Sequence, residues 1–325
     1  MESRVVIVGY GMGAQHARLI NEVDELTLVG VCDVDKSKLD RADAENPGIS
    51  TYTDYAHVLD DFDVDCVVIV TPHNTHAAMA IAAMDAGKHV VTDKAMCLTV
   101  ADAREMIGAR DRNGVLLTTF HNRRWDSEFL TVRKLIDDGV LGHYHIQSCV
   151  TSFGQPGGWR TDREQMGGWL YDWGAHTLDQ ILLLVKSKPV DVYAFAHHRY
   201  DDPSAVEDYI NCTVTFESGV TATTVIGYIN RIEMPRWYVI GELGALQADD
   251  FTKPLMLRKQ VSGMETETTV PLLKGNWRSF YENVADALAG RSELEVTPEQ
   301  LIPQIAISEA AYRSVEAKQV VPVVF

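Results

Sequence analysis

Asp172 and His176 stand four residues apart in the stretch Gly167-Gly168-Trp169-Leu170-Tyr171-Asp172-Trp173-Gly174-Ala175-His176. On a helix this spacing projects both side chains from one face, and Asp179 continues that face. A carboxylate beside an imidazole orients the ring and tunes its charge, as a proton shuttle requires. The rival reading, an exposed helix-stabilising pair, fits poorly with such apolar and aromatic neighbours. Trp125, Trp159, Trp169 and Trp173 lie in or beside the polar loops. Rigid aromatic faces suit the C–H faces of a sugar or cyclitol, while Arg123, Arg124, Arg160 and Asp172 can serve hydroxyls. His121 opens the same run as Arg123, Arg124 and Trp125. His73 and His76 form an H-x-x-H, but no third ligand follows at a metal spacing. The pair is read as capping or as contact with a cofactor or substrate, and no metal is expected.

Side chains like these act together only if a frame holds them. Arg4-Val5-Val6-Ile7-Val8 is β-branched without alternation, the pattern of a strand buried on both faces. Gly9-Tyr10-Gly11-Met12-Gly13-Ala14 follows at once and reads G-x-G-x-x-A, with Ala14 in the place of the third glycine. Such a turn lets the backbone approach a pyrophosphate, whose charge sits on the N-terminus of the next helix. Leu26 to Cys32 reads as a second strand ending on Asp33, roughly twenty residues beyond the glycines. A carboxylate there accepts from a ribose 2′-OH and repels a 2′-phosphate, which favours NAD over NADP. Lys36 and Lys38 lie close enough to soften that preference, their other reading being the solvated first turn of a helix.

Strand and helix alternate as far as residue 119, which predicts an α/β fold with a doubly wound parallel sheet over 1–120. Ligands bind beyond the carboxyl ends of such strands. The polar clusters occupy those ends: Thr71, Pro72, His73 and His76 after the fourth strand, Asp93 and Lys94 after the fifth, His121 to Trp125 after the sixth. The first two groups are expected against the cofactor and the third toward the substrate. From 121 to 325 the pattern changes. Segments 143–152, 189–198, 206–216 and 219–229 are β-rich, shorter strands follow, and helices are expected at 127–138, 168–184, 276–289 and 298–317. This predicts a second, α+β domain with a mostly antiparallel open sheet, its last helices able to pack back on the first domain.

A net charge of −17 argues against nucleic acid or an anionic membrane as partner. No apolar run approaches the length of a membrane span, and a strand beginning at residue 4 leaves no room for a signal peptide. Cys32, Cys66, Cys97, Cys149 and Cys212 are far apart and read as buried thiols in a reducing, cytoplasmic compartment. In the strand at 189–196, Val190, Val192, Ala194 and Ala196 are expected to point one way and Tyr193 and Phe195 the other. That is more apolar surface than one covered face needs, and it predicts a homodimer or homotetramer through this sheet.

Four blocks, Gly9 to Ala14, Thr71-Pro72 through His76, Asp93-Lys94, and Gly167-Gly168 through Asp172 and His176, resemble the glucose–fructose oxidoreductase / inositol dehydrogenase (Gfo/Idh/MocA-like) family over essentially the whole chain. The resemblance implies a Rossmann domain, an α+β domain with an open sheet, and oxidation or reduction of one secondary hydroxyl of a sugar, cyclitol or related polyol with NAD or NADP. It implies that Lys94 is the catalytic lysine of an E-K-P motif, near the nicotinamide ribose and the reacting hydroxyl. Asp172 and His176 match the acid and base, and Arg124 matches an arginine near the substrate. Four positions depart from the pattern: Asp93 replaces Glu, Ala95 replaces Pro, His73 replaces Asn, and His16 comes one residue early, as after a shortened turn. Two other functions fit the same residues. One is redox-neutral glycoside cleavage through a keto sugar with tightly held NAD; the other is a non-catalytic NAD-binding sensor or assembly subunit.

Overall fold

The computed structural model describes residues 2–154, 157–199, 202 and 204–325. The chain divides into two compact units. One runs to His121 and also takes in Trp277–Leu301; the other comprises Asn122–Asn276 and Ile302–Phe325.

In the first unit β1 (Ser3–Val8), α1 (Gly13–Ile20), β2 (Leu26–Cys32), α2 (Lys36–Glu45), β3 (Ser50–Tyr52) and α3 (Tyr55–Asp60) lead to β4 (Cys66–Ile69). Then come α4 (His76–Asp85), β5 (His89–Thr92), α5 (Val100–Asn113) and β6 (Leu117–Thr119). The six strands form one parallel sheet in the order β3-β2-β1-β4-β5-β6. Val6, Ile7, Val67, Val68 and Ile69 are fully buried, so the central strands have no wet face and no need of alternation. Strand order reverses between β1 and β4, where Gly9 and Val70 leave the sheet side by side, and this switch point is where a doubly wound sheet opens a crevice. The residues returning at 277–301 complete this core. Phe280 packs on Phe120 with ring centroids 5.0 Å apart, and Thr118 Oγ1 donates to the Val296 carbonyl at 2.7 Å.

In the second unit α6 (Ser127–Asp137) precedes β7 (Tyr144–Thr151), α7 (Arg163–Met166) and α8 (Trp173–Val185). A run of strands follows: β8 (Pro189–His197), β9 (Tyr209–Phe216), β10 (Thr221–Gly227), β11 (Trp237–Gly241), β12 (Gly244–Ala248), β13 (Leu255–Val261) and β14 (Met264–Val270). The chain ends with α9 (Arg278–Leu288), α10 (Pro298–Ala317) and β15 (Val321–Pro322). The sheet has nine strands in the order β14-β13-β12-β11-β7-β10-β9-β8-β15, antiparallel except for β7 with β10. That one parallel pair follows from α8, β8 and β9 intervening between its strands.

The register aligns Tyr193, Thr213, Thr223, Gln147 and Tyr238 across β8, β9, β10, β7 and β11, so they share one face. The expected alternation in β8 needs one correction. A register shift between Pro189 and Asp191 turns Val190 outward with Tyr193 and Phe195, leaving Val192 and Ala194 inside. No helix among the described residues is long and apolar enough to cross a membrane.

Candidate active site

The glycine turn has the shape a dinucleotide needs. Gly9 has φ +95°, and a Cβ there would overlap the Val70 carbonyl oxygen, so only glycine fits between the two diverging strands. A Cβ on Gly11 would meet nothing within 4 Å, which leaves its backbone open to a ligand. A Cβ on Gly13 would stand 2.8 Å from Ile7 Cγ2. α1 therefore packs against β1 at Gly13, its first residue. No side chain caps α1, and Met12 is exposed at its start. Its leading N–H groups are placed for an anion.

Asp33 directly follows β2 and is buried, with Oδ2 accepting from the Tyr10 N–H at 2.8 Å and Oδ1 from the Asp35 N–H at 2.9 Å. Lys38 Nζ is 3.4 Å from the same Oδ2. Tyr10 meets Asp33 through its backbone. Its side chain is buried, its hydroxyl donates to Glu45 at 2.9 Å and accepts from Asn46 at 2.8 Å. These residues fit a nicotinamide dinucleotide.

Lys94 follows Asp93 at the end of β5, and the Lys94–Ala95 peptide is cis. The turn is tied down from α4. His76 Nδ1 lies 2.7 Å from the Ala95 carbonyl oxygen and Nε2 lies 2.9 Å from that of Thr71. Expected as a cap or a ligand contact, His76 is instead wholly buried, and its two nitrogens join the turns after β4 and β5. Burial pushes its pKa down, against the pull of those carbonyls and of Asp93. Thr71 and Thr75 share a 2.6 Å hydroxyl contact, Thr75 also donates to the Pro72 carbonyl, and His73 is buried beside His76. No group of three potential metal ligands converges among the described residues. Burial opposes the charge of Asp93, but His16, Lys94 and His76 outweigh it and hold the carboxyl below its ordinary range. His121 closes this unit as a buried residue after β6.

In the second unit, the turn from Gly167 to Asp172 enters α8. Asp172 is the residue before the helix, with φ −94° and ψ −91°, so the helical i, i+4 relation expected between it and His176 does not apply. Its carboxylate lies 3.5 Å from Arg160 Nε, and the Arg160 guanidinium in turn stacks 4.6 Å from the Trp159 ring centroid. Asp172 and His176 are both buried, and the His176 ring sits 6.0 Å from Trp173.

The Arg123 guanidinium lies 4.4 Å from the Trp173 ring and 4.8 Å from that of Phe251, and donates to Asp126 at 2.8 Å. Arg124 is committed to Asp179 through two hydrogen bonds of 2.8 and 2.6 Å in a buried pair. Asp179 thus holds Arg124 one turn along α8 from His176, and losing either partner of such a pair costs about 3–5 kcal/mol. Trp125 is half-buried at the start of the same segment.

The residues that shape this turn lie far from it in sequence. Glu207 Oε1 accepts from the Trp169 N–H at 2.9 Å and from the Tyr312 hydroxyl at 2.7 Å. The Glu207 carbonyl takes the Trp169 indole N–H at 2.6 Å, and the Leu170 N–H reaches the Tyr312 oxygen at 3.2 Å. Behind Arg123, Gln180 donates to its carbonyl at 2.7 Å, while buried Arg236 bonds Gln180 and Ser148 and lies 3.7 Å from Glu128. Sequence spacing marks none of Glu207, Tyr312, Arg236 or Glu128. A glutamate before a β-run and a tyrosine in a long helix carry no local signal of a shared partner.

This architecture recurs in known proteins. Residues 3–121 match the family described as "Oxidoreductase family, NAD-binding Rossmann fold", and residues 129–247 match "GFO/IDH/MocA C-terminal domain". The chain is 28% identical to scyllo-inositol 2-dehydrogenase (NADP(+)) of Bacillus subtilis, over 98% of this chain and 95% of that one. It is 28% identical to myo-inositol 2-dehydrogenase of Thermotoga maritima, over 76% and 75% respectively. Among solved structures, an NAD-binding protein from Listeria innocua superposes with a TM-score of 0.92 at 34% identity, covering 99% of this chain and 97% of that one. With both family patterns matched in order, on the sheets and turns described, the chain belongs to the Gfo/Idh/MocA family of NAD(P)-binding oxidoreductases.

Proposed function

We infer that the protein moves a hydride between one secondary hydroxyl of a sugar, cyclitol or related polyol and NAD. The observation that carries this reading is the anchored Asp33 carboxylate beside a glycine turn that is open at Gly11. The inositol dehydrogenases among its relatives support the substrate class. The nicotinamide, when bound, accepts or returns the hydride. Lys94 donates to the reacting oxygen and stabilises the charge that develops on it. His176 takes the hydroxyl proton at a ring nitrogen, and Asp172, steadied by Arg160, orients the ring and the substrate hydroxyls. Arg123 and Trp173 offer a flat, partly charged wall for a ring C–H face. A dehydrogenase screen over inositols, aldoses, lactones and glycosides with both cofactors tests this. Reduction of nicotinamide by at least one polyol is expected, and no turnover across the panel would overturn it.

The cofactor preference rests on Asp33. Because its carboxylate is fixed at both oxygens, its charge cannot swing away from a 2′-phosphate. Asp33→Ala is expected to cut the NAD-over-NADP ratio of kcat/KM by about tenfold or more, the scale of a charge-assisted hydrogen bond. The Bacillus relative is named for NADP(+), so wild-type kinetics decide the matter. Tighter binding of NADP than NAD would mean that Lys38, 3.4 Å from Asp33, outweighs the acid.

The outer sheet face carries Tyr193, Phe195, Tyr238 and Ile240, each at least 40% exposed. Burying them against a second copy removes their apolar surface from water. A dimer or a dimer of dimers is expected through this face. Sedimentation of a 36.2 kDa species at micromolar concentration would refute it.

A further inference from the structure

His16 lies in the first turn of α1, three residues beyond Gly13, and is 2% exposed. Its Nδ1 is 2.7 Å from the Tyr281 hydroxyl, and its Nε2 is 3.8 Å from Oδ1 of Asp93, the residue before Lys94. Tyr281 is carried by α9, and Phe120 packs against both rings, 4.3 Å from His16 and 5.8 Å from Tyr281. Burial, with Cys66 and Asp93 nearby, pushes the Tyr281 phenol well above its ordinary pKa, so it keeps its proton. A buried phenol must donate that proton, and among the described residues its hydrogen-bond partner is His16 Nδ1. Nδ1 is therefore the acceptor, and the hydrogen of the neutral ring sits on Nε2, aimed at Asp93. At 3.8 Å that contact is longer than a hydrogen bond, yet close enough for Nε2 to bear on the Asp93 charge.

We propose that Tyr281, His16 and Asp93 form a buried positioning chain that sets the Lys94 turn and tightens when a dinucleotide binds at the glycine turn. The parts are distributed as such a device needs. α9 supplies the fixed end, α1 carries both the pyrophosphate-binding N–H groups and His16, and the β5 turn carries Asp93 and Lys94. A displacement of α1 by about 1 Å brings Nε2 to charge-assisted hydrogen-bond length from Asp93. The chain rests on the assignment of Lys94 given above, but its geometry can be tested without turnover.

In the full-length protein, long-range 15N–1H correlations of the His16 ring should show the Nε2–H tautomer, and its Nε2–H resonance should move downfield on adding NAD. An Nδ1–H tautomer, or a resonance that NAD leaves unmoved, would overturn the proposal even if no substrate were known. In kinetics, Tyr281→Phe removes one hydroxyl and frees the ring to change tautomer. It should lower kcat about tenfold, within the scale of a misplaced catalytic group, with KM for the polyol unchanged. It should also alter the pH dependence of kcat, which a merely structural role would not. Wild-type kcat and pH profile in both Tyr281→Phe and His16→Gln would refute the chain. Loss of activity across the whole polyol panel, with the tautomer and NAD response as stated, would sink the dehydrogenase assignment alone.

Discussion

Alanine at Lys94 or at His176 is expected to lower kcat about a hundredfold or more, the usual scale for losing a general base or the group that stabilises a developing charge. The two losses differ in kind. Lys94 is half-buried on a turn held by His76 and by the Asp93 N–H to the Ile69 carbonyl, so Lys94→Ala leaves the backbone anchored and the cofactor cradle intact. Dinucleotide affinity should then change by much less than kcat. His176 is buried on α8 beside Trp173, so His176→Ala also opens a small cavity and lowers Tm by a few degrees. Added imidazole should recover part of the His176→Ala rate, and a small primary amine part of the Lys94→Ala rate. Near-normal kcat in both variants would remove these assignments.

Gly168→Ala should be strongly damaging in the second unit. Gly168 has φ +123°, a region closed to alanine, and its new Cβ would overlap the Tyr312 hydroxyl and stand 2.5 Å from the ring carbon that bears it. Tyr312 cannot step aside without releasing the Leu170 N–H and Glu207, and Glu207 in turn holds the Trp169 N–H of the turn into Asp172. Backbone strain and overpacking together amount to about 2–5 kcal/mol, a fall in Tm on the order of 10 °C. Activity should fall further than stability, because Asp172 moves with the turn. Gly139→Ala is the matched control. Its φ is +71° with open space around it, so it carries strain without overlap and should cost about 1 kcal/mol. Adding Tyr312→Phe should recover only a minor part of the Gly168→Ala loss, since the backbone angle persists. Equal Tm values for the two alanine variants would show that Tyr312 does not confine the turn.

The parallel sheet was legible because β1 and β4 are continuous β-branched runs and Gly9 can only be glycine. The helices at 36–45 and 298–317 lie within a residue of where the sequence puts them, the second opening on Pro298 at the position a helix start tolerates. What escaped is set by long-range contacts. The spacing of Asp172 and His176 suggests one helix from 168, but Tyr312 and Glu207 pin Trp169 and Leu170 in a turn, and α8 begins only at Trp173. His76 reads in sequence as a cap or a contact with cofactor or substrate, while in the structure the Ala95 carbonyl of the turn after β5 lies against its ring. Val190 follows simple alternation until a register shift beside Pro189 rotates it outward. In each case a partner distant in sequence decided which way a side chain faces.

The return of residues 277–301 to the first unit bears on how the chain is made. A nascent chain that has emerged only through His121 holds all six strands of the nucleotide-binding sheet. It lacks the tyrosine that meets His16, the phenylalanine that covers Phe120, and the Val296 carbonyl that satisfies Thr118. At a translation rate of about 5–20 residues per second, the missing segment leaves the ribosome some ten to forty seconds later. Throughout that interval the half begun first stays open along Phe120 and α1, and must wait for the insertion of the whole second unit. The nucleotide-binding half is thus the first to start folding and among the last to close, and its exposed aromatic seam is where a chaperone would find the unfinished chain.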